Sequence, residues 1–358
     1  MEFAEKLSRL KVYPAADGYA LGPEVALMAS NETPYPPLPA VREAVAEALN
    51  GVNRYPDPLN TRLRKALSDR YGVPANRIAI GNGSCDILFA AGDALLEPGA
   101  EVIHAWPSFS VYPHLAAASG ARALQIPLNA DHEHDLEAML AEITVATRLV
   151  IVCNPNNPTS TALPLDEIAD FVARVPRHAA VILDEAYCEF NLLDDPDASV
   201  ALLDRFPNLV LLRTFSKAYG LCGLRVGYGL CGSADFRAAV DAVRQPFYCN
   251  VAAQAAAIAA LRSQDEIAVR VETNLAERLA LADGLERIHI KPADSQANFV
   301  WFDLPAGEDG ESAVVGGLSA RRILVRAGAS LGRPGALRVT VGTAADNERF
   351  LAALGELV

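Results

Sequence analysis

The sequence has little of what membrane, secreted and nucleic-acid-binding proteins usually need. No apolar run reaches the length of a membrane span, and the first ten residues mix charges with apolar side chains instead of forming a secretory signal. The formal net charge of -13 at pH 7 argues against nonspecific binding to phosphate backbones, which requires basic patches. We therefore expect a cytoplasmic protein that binds small molecules, with no membrane or nucleic-acid partner.

Metal-ligand spacing is also missing. The six cysteines form no C-x-x-C pair, which is typical of reduced thiols that serve in packing, although Cys85 lies in a loop with functional features. His132 and His134 fall in the acidic stretch 131–135, whose composition predicts a solvated loop rather than a metal site. No metal is expected.

The length of 358 residues predicts two domains. Residues 1–30 are weakly periodic and indicate an arm that packs on the small domain or on another subunit. In residues 31–247, apolar runs alternate with helix-length stretches, which predicts an α/β domain with a mainly parallel sheet covered by helices on both faces. Residues 248–358 predict a smaller α+β domain. The predicted strands are 77–80, 101–104, 149–153, 181–183 and 209–212, then 299–302, 323–326 and 337–341; the main predicted helices are 40–49, 62–71, 86–95, 251–261 and 265–285.

One lysine stands out in the segment 213–228. Lys217 follows the apolar run 209–212, so Thr214, Ser216 and Lys217 fall on the loop after a buried strand, where open α/β sheets bind ligands. The two hydroxyls and Arg225 can bind a phosphate. An amine beside an anion site suits pyridoxal phosphate, whose aldehyde forms a Schiff base with lysine. The alternative is a surface lysine in a glycine-rich turn.

Two more strand ends carry polar groups that suit the same ring. Asp184 can pair with a pyridine nitrogen, and Tyr187 can donate to the phenolic oxygen of the ring. Asn157 can reach the same oxygen, and the bond from Asn157 to Pro158 is a candidate cis bond. Taken singly, these residues are also consistent with a helix cap, a core aromatic and a turn.

The loop 81–85 predicts a second part of the phosphate site. It follows a strand and precedes an apolar helix, so the backbone N–H groups of Gly83, Ser84 and Cys85 can point at one anion. Phe109 follows another strand and can stack on the pyridine face, although a core position is equally consistent with its type.

These segments together resemble the fold type I pyridoxal-phosphate aminotransferases, and within them the histidinol-phosphate aminotransferase family. The similarity covers most of the chain, and its most specific parts are Asp184-x-x-Tyr187 and Ser216-Lys217 with Arg225. It implies a seven-stranded sheet and a homodimer. It also implies that Lys217 bonds the cofactor and moves the substrate proton, while Asp184 holds the ring nitrogen.

The resemblance further assigns residues that the pattern alone does not. Tyr55 is implied to reach the cofactor phosphate of the partner subunit. The resemblance implies that Arg338, assisted by Arg326, binds the acidic group of the substrate. It also implies that Tyr19 or Tyr13 closes over the bound substrate. An interdomain ion pair is the alternative for Arg338.

The sequence departs from the usual histidinol-phosphate pattern at Ser84-Cys85-Asp86 and at Phe109, where it is similar to the actinobacterial aromatic (phenylalanine) aminotransferases. The expected donor is histidinol phosphate, an aromatic amino acid, or both, with 2-oxoglutarate as acceptor in a ping-pong cycle. A lyase on the same scaffold, such as a threonine-phosphate decarboxylase, remains the alternative, and a cofactor-sensing regulator is disfavoured because no DNA-binding segment is evident.

Overall fold

The computed structural model describes residues 1–10, 22 and 24–358, and its centre is a seven-stranded sheet. In chain order the strands of this sheet are β2 (Ile78–Gly81), β3 (Glu101–Trp106), β4 (Arg122–Pro127), β5 (Thr147–Cys153), β6 (Ala180–Asp184), β7 (Leu209–Thr214) and β8 (Gly227–Cys231). Their spatial order is β2-β8-β7-β6-β5-β3-β4, and β8 alone runs antiparallel to its neighbours. The mainly parallel α/β fold predicted from the sequence is confirmed.

Helices cover both faces of this sheet. They are α1 (Pro39–Leu49), α2 (Thr61–Tyr71), α3 (Ser84–Leu95), α4 (Val111–Ser119), α5 (Leu136–Ala141), α6 (Leu165–Arg174), α7 (Ala234–Ala242) and α8 (Val251–Leu261). The central strands are fully buried, as expected for strands with helices on both sides, and their side chains alternate between two separate hydrophobic clusters. The carboxyl ends of β5, β6 and β7 therefore meet at one edge of a rigid sheet.

A second core forms after α8. It contains the antiparallel strands β9 (Phe299–Asp303), β11 (Arg326–Ala327) and β12 (Ala336–Thr340), with β12 in the middle. The long helix α9 (Gln264–Arg287) and helices α10 (Gly307–Ala320) and α11 (Ala344–Gly355) accompany them. Strand β1 (Ala26–Leu27) pairs in parallel with β10 (Ile323–Leu324), and Ala26 and Met28 are buried in this second core.

The sequence pattern did not predict the two-residue strand β1 or two strands of the large sheet, and it merged two others. Strand β4 is a polar, partly exposed edge strand, and β8 contains two glycines, so neither shows an apolar run. The predicted strand 323–326 is wrong because the strand is interrupted at Val325, so that β10 and β11 belong to different sheets.

The predicted domain limits at residues 30 and 247 stay predictions, and the packing bears on both. Helix α8 packs against α1 and α2, and its Ala253, Ala256 and Ala257 belong to the hydrophobic cluster under the large sheet. This packing favours a boundary beyond α8. In the arm, a short 3-10 helix at Glu5–Ser8 lies against α4, where Arg9 Nε donates to the carbonyl of Ala117 at 3.3 Å.

Candidate active site

A cavity of about 490 Å³ lies where the carboxyl ends of β5, β6 and β7 face the second core. Most of the predicted site residues line it: Ser84, Cys85, Phe109, Asn157, Asp184, Tyr187, Thr214, Ser216, Lys217, Arg225, Arg326 and Arg338. Residues 29–32, which we call the strap, also line the cavity. The structure thus brings together groups from distant parts of the chain.

Lys217 follows β7 and reaches the strap. Its Nζ donates to the carbonyl oxygens of Ser30 at 3.2 Å and Asn31 at 3.0 Å. Burial, reinforced by the positive charge of Arg338, lowers the pKa of Lys217 to about 8. The neutral amine, which is the nucleophilic and basic form, is therefore accessible near neutral pH.

Asp184 ends β6 and is buried, with 3 % of its surface exposed. The hydroxyl of Tyr112 donates to Asp184 Oδ2 at 2.8 Å, and the backbone N–H of Ala186 donates to Oδ1 at 3.2 Å. Burial raises the pKa of Asp184 to about 6, while the Tyr112 hydrogen bond and the charge of Lys217 oppose that rise. A buried carboxylate of this kind is poised to pair with a cationic ring nitrogen.

Tyr187 and Asn157 lie nearby on separate loops. Tyr187 Oη accepts a hydrogen bond from Asn31 Nδ2 at 3.0 Å, and burial raises the pKa of the Tyr187 hydroxyl. Asn157 Oδ1 accepts from Arg338 Nη1 at 2.6 Å, and the bond from Asn157 to Pro158 is cis, as predicted. Both residues line the same cavity.

The anion end of the cavity combines a helix N-terminus, hydroxyls and a guanidinium. Helix α3 begins at Ser84 after Gly83, whose φ is 84°, and no side chain caps it. A Cβ at Gly83 would lie 2.6 Å from Arg225 Nη2, so only glycine lets the guanidinium lie against this turn. Thr214 Oγ1 donates to Ser216 Oγ at 2.9 Å beside it. Uncapped N–H groups, hydroxyls and Arg225 fit a phosphate.

Two arginines of the small antiparallel sheet also line the cavity. Arg326 of β11 and Arg338 of β12 are direct cross-strand neighbours, and both are largely buried and line the cavity. Arg338 Nη2 also donates to the carbonyl oxygen of Ala29 in the strap at 2.6 Å. Like charges directly opposite on paired strands repel each other, so this arrangement favours an anionic ligand.

Several predicted residues lie elsewhere. Tyr55 is 82 % exposed and stacks on Phe247 outside the cavity, so its role across a subunit interface stays a prediction. Tyr13 and Tyr19 fall outside the described residues. The solvated loop predicted for 131–135 is wrong for His134, which is 5 % exposed and lies 3.3 Å from Asn156 Oδ1 through Nε2.

Sequence reasoning also missed contributors to the site. Asn31 donates a hydrogen bond to Tyr187, and Tyr112 donates one to Asp184. Glu32 and Cys222 line the cavity near Lys217. Cys85 lines it too, with a thiol pKa raised to about 11 by burial, which keeps the thiol protonated. In the described part of the chain no cluster of three or more potential metal ligands is found, and no helix is long and apolar enough to cross a membrane.

Comparison with known proteins identifies the family. Residues 23–354 match the family model for aminotransferase class I and II. The chain belongs to that family. It is 44% identical over 338 residues to the aromatic amino acid aminotransferase of Streptomyces coelicolor, covering 94% of this chain and 92% of that protein. It is 42% identical to the histidinol-phosphate aminotransferase of Geobacillus thermodenitrificans, covering 94% and 90%.

A solved structure agrees with this family. The histidinol-phosphate aminotransferase of Sinorhizobium meliloti in complex with pyridoxal-5'-phosphate superposes with a TM-score of 0.88 at 28% identity, covering 99% of this chain and 97% of that one. The resemblance drawn from the sequence motifs is therefore confirmed at the level of family and fold.

Proposed function

We propose that this aminotransferase uses pyridoxal phosphate to move an amino group from an aromatic amino acid or histidinol phosphate to 2-oxoglutarate. The relatives named above divide between these two donors, and the lyase alternative finds no support among them. Donor and acceptor would occupy the cavity in turn, which gives ping-pong kinetics.

The observation that carries the proposal is the shared cavity of Lys217, Asp184 and the anion end. Pyridoxal phosphate supplies an aldehyde for an amine and a ring that withdraws electrons from the substrate. Arg225, Thr214, Ser216 and the N-terminus of α3 would hold its phosphate. Asp184 would keep a proton on the ring nitrogen, because the negative charge of a buried carboxylate stabilises an adjacent cation.

Lys217 would carry the cofactor and then act as the base. Its lowered pKa leaves an amine that could take the proton from the substrate Cα and deliver it to the C4′ carbon of the cofactor. Tyr187 and Asn157 would bond the phenolic oxygen of the ring, and Phe109 would cover one face. Arg338 would bind the substrate carboxylate in a bidentate manner, and Arg326 would add positive charge at the same end.

The proposed active unit is a homodimer in the cytoplasm. Tyr55 lies in a segment whose large apolar side chains are unusually exposed: Leu49, Val52 and Leu59 are each more than half exposed. Such a patch is typical of a subunit interface, and it would let Tyr55 reach the phosphate of the partner site. Crosslinking or sedimentation of the purified protein tests the dimer, and fractionation of cells tests the location.

The deciding experiment mixes the cofactor-loaded enzyme separately with histidinol phosphate, phenylalanine, tyrosine or aspartate, without an acceptor. Transamination leaves the cofactor as its amine and removes the visible absorbance of the lysine-bound aldehyde form, and the donor that does this fastest is the preferred substrate. Release of carbon dioxide with unchanged absorbance would instead indicate a decarboxylase. No change with any donor would contradict the proposal.

A further inference from the structure

Asn31 occupies an unusual position in the strap. It is buried, with 1 % of its surface exposed, and its backbone is left-handed, with a φ of 54°. Asparagine is among the few non-glycine residues that adopt this conformation readily. The left-handed turn directs the carbonyl oxygen of Asn31 to Lys217 Nζ at 3.0 Å and to Asn298 Nδ2 at 3.2 Å.

The side chain of Asn31 is held in one orientation. Its backbone N–H donates to Thr340 Oγ1 at 2.9 Å, and Thr340 Oγ1 donates in return to Asn31 Oδ1 at 3.2 Å. Because Oδ1 receives the Thr340 proton, the amide group Nδ2 is turned the other way, toward Tyr187 Oη at 3.0 Å. Strand β12 therefore sets the direction in which the Asn31 amide donates.

The hydrogen bond from Asn31 Nδ2 determines the direction in which the Tyr187 hydroxyl can donate its proton. A phenolic hydroxyl has one proton to donate, and an Nδ2 donor already occupies one lone pair of Tyr187 Oη. The Tyr187 proton must then point away from Asn31, and Tyr187 lines the cavity. The ring of Tyr187 is itself fixed by edge-on packing against Phe299, with ring centroids 5.0 Å apart.

We propose that Asn31 is a positioning residue that orients the Tyr187 hydroxyl so that its proton is donated to the phenolic oxygen of the cofactor. This inference rests on the proposed function, because it needs pyridoxal phosphate in the cavity. Asn31 itself touches no reacting atom through its side chain. It acts through Tyr187, and Thr340 acts through Asn31.

The test follows the visible absorbance of the cofactor-loaded enzyme against pH. A hydrogen bond donated to the phenolic oxygen favours its anion and thereby lowers the apparent pKa of the lysine–cofactor linkage. Asn31→Gly keeps the left-handed backbone and removes only the side chain. We expect it to raise the apparent pKa by roughly half to one unit, in the same direction as Tyr187→Phe, and to lower kcat roughly three- to tenfold with little change in KM.

A double-mutant comparison separates positioning from general loosening. If Asn31 acts through Tyr187, Asn31→Gly produces no further pKa shift in a Tyr187→Phe background. Thr340→Val keeps the shape of β12 and removes the hydroxyl that holds the Asn31 amide, so a smaller shift in the same direction is expected even if Asn31→Gly folds poorly.

Asn60 provides a matched control. It is also buried and left-handed, with a φ of 50°, and its Nδ2 donates to Tyr248 Oη at 2.9 Å, but neither residue lines the cavity. Asn60→Gly should therefore leave the spectral titration at the wild-type pH. An unchanged titration in Asn31→Gly would overturn the inference but not the proposed function. So would an equal pKa shift from Asn31→Gly in the wild-type and Tyr187→Phe backgrounds. A wild-type enzyme without lysine-bound cofactor absorbance would overturn the proposed function and the inference with it.

Discussion

The two walls of the cavity are built differently. On one wall, Asp184, Lys217 and the N-terminus of α3 each lie at or within a few residues of the end of a strand of the large sheet. On the other, the strap and β12 hold each other: Thr340 N donates to the Met28 carbonyl oxygen at 2.8 Å, and Arg338 donates to that of Ala29. The first wall is fixed by a rigid sheet, and the second by contacts between segments more than 300 residues apart.

This difference suggests a division of labour. The strand-end wall carries the groups proposed to bind and activate the cofactor, whereas β11 and β12 carry the arginines proposed to bind substrate. Substitutions on the first wall should therefore affect cofactor chemistry, and substitutions of the two arginines should affect substrate capture. Four predictions test this division.

The largest effect is expected for Lys217→Ala. Removal of the amine should abolish lysine-bound cofactor absorbance and lower kcat by roughly 10³- to 10⁴-fold, because both the attachment and the base are lost. Circular dichroism should show an unchanged fold. Lys65→Ala, which removes an exposed lysine paired with Asp69, is the control and should keep wild-type activity. Wild-type turnover by Lys217→Ala would exclude Lys217 as the catalytic amine.

Arg338→Ala should mainly weaken substrate capture. We expect kcat/KM to fall by an amount equivalent to about 2–5 kcal/mol, because a buried bidentate contact to the substrate carboxylate is lost. The dissociation constant of the cofactor, measured by fluorescence titration, should change little. Equal losses in cofactor and substrate binding would contradict the assignment of these two functions to different walls.

Asp184 should make the stability of the cofactor-free protein depend on pH. Its folded pKa of about 6 lies above the ordinary value of 3.8, so between these pH values the folded state holds the extra proton. The free energy of unfolding should therefore fall as pH rises through this window, by up to about 3 kcal/mol from this group. Urea unfolding from pH 4 to 8 measures it, and Asp184→Asn should remove this component. An identical pH dependence in the variant would refute the assignment.

The smallest effect is expected for Tyr112→Phe. The variant removes one hydrogen bond to Asp184 Oδ2 and leaves the packing of the ring in place. Because that hydrogen bond stabilises the carboxylate, the pKa of Asp184 should rise further. The activation barrier should rise by about 1 kcal/mol, which lowers kcat several-fold. The pH profile of kcat should shift in the same direction. An unaltered profile would mean that Tyr112 does not tune Asp184.

The same contrast explains what the sequence could predict. Asp184 and Lys217 follow apolar runs directly, so local pattern located both the strands and their functional ends. Asn31 and Tyr112 gave no such signal, because their roles arise from partners 156 and 72 residues away in the chain. The sequence places the domain boundary at residue 247, before α8, for a related reason: the alanine-rich α8 shows no amphipathic pattern, and only its packing shows which core it joins.

The most direct test of the central claim locates the lysine that bonds the cofactor. The loaded enzyme is reduced with borohydride, digested, and mapped by mass spectrometry, with Lys6, Lys11, Lys65 and Lys291 as internal controls because they are the other lysines of the sequence. We expect a stoichiometric phosphopyridoxyl group on Lys217 and none on the other four lysines. A modified residue other than Lys217, or no modification at all, would contradict it.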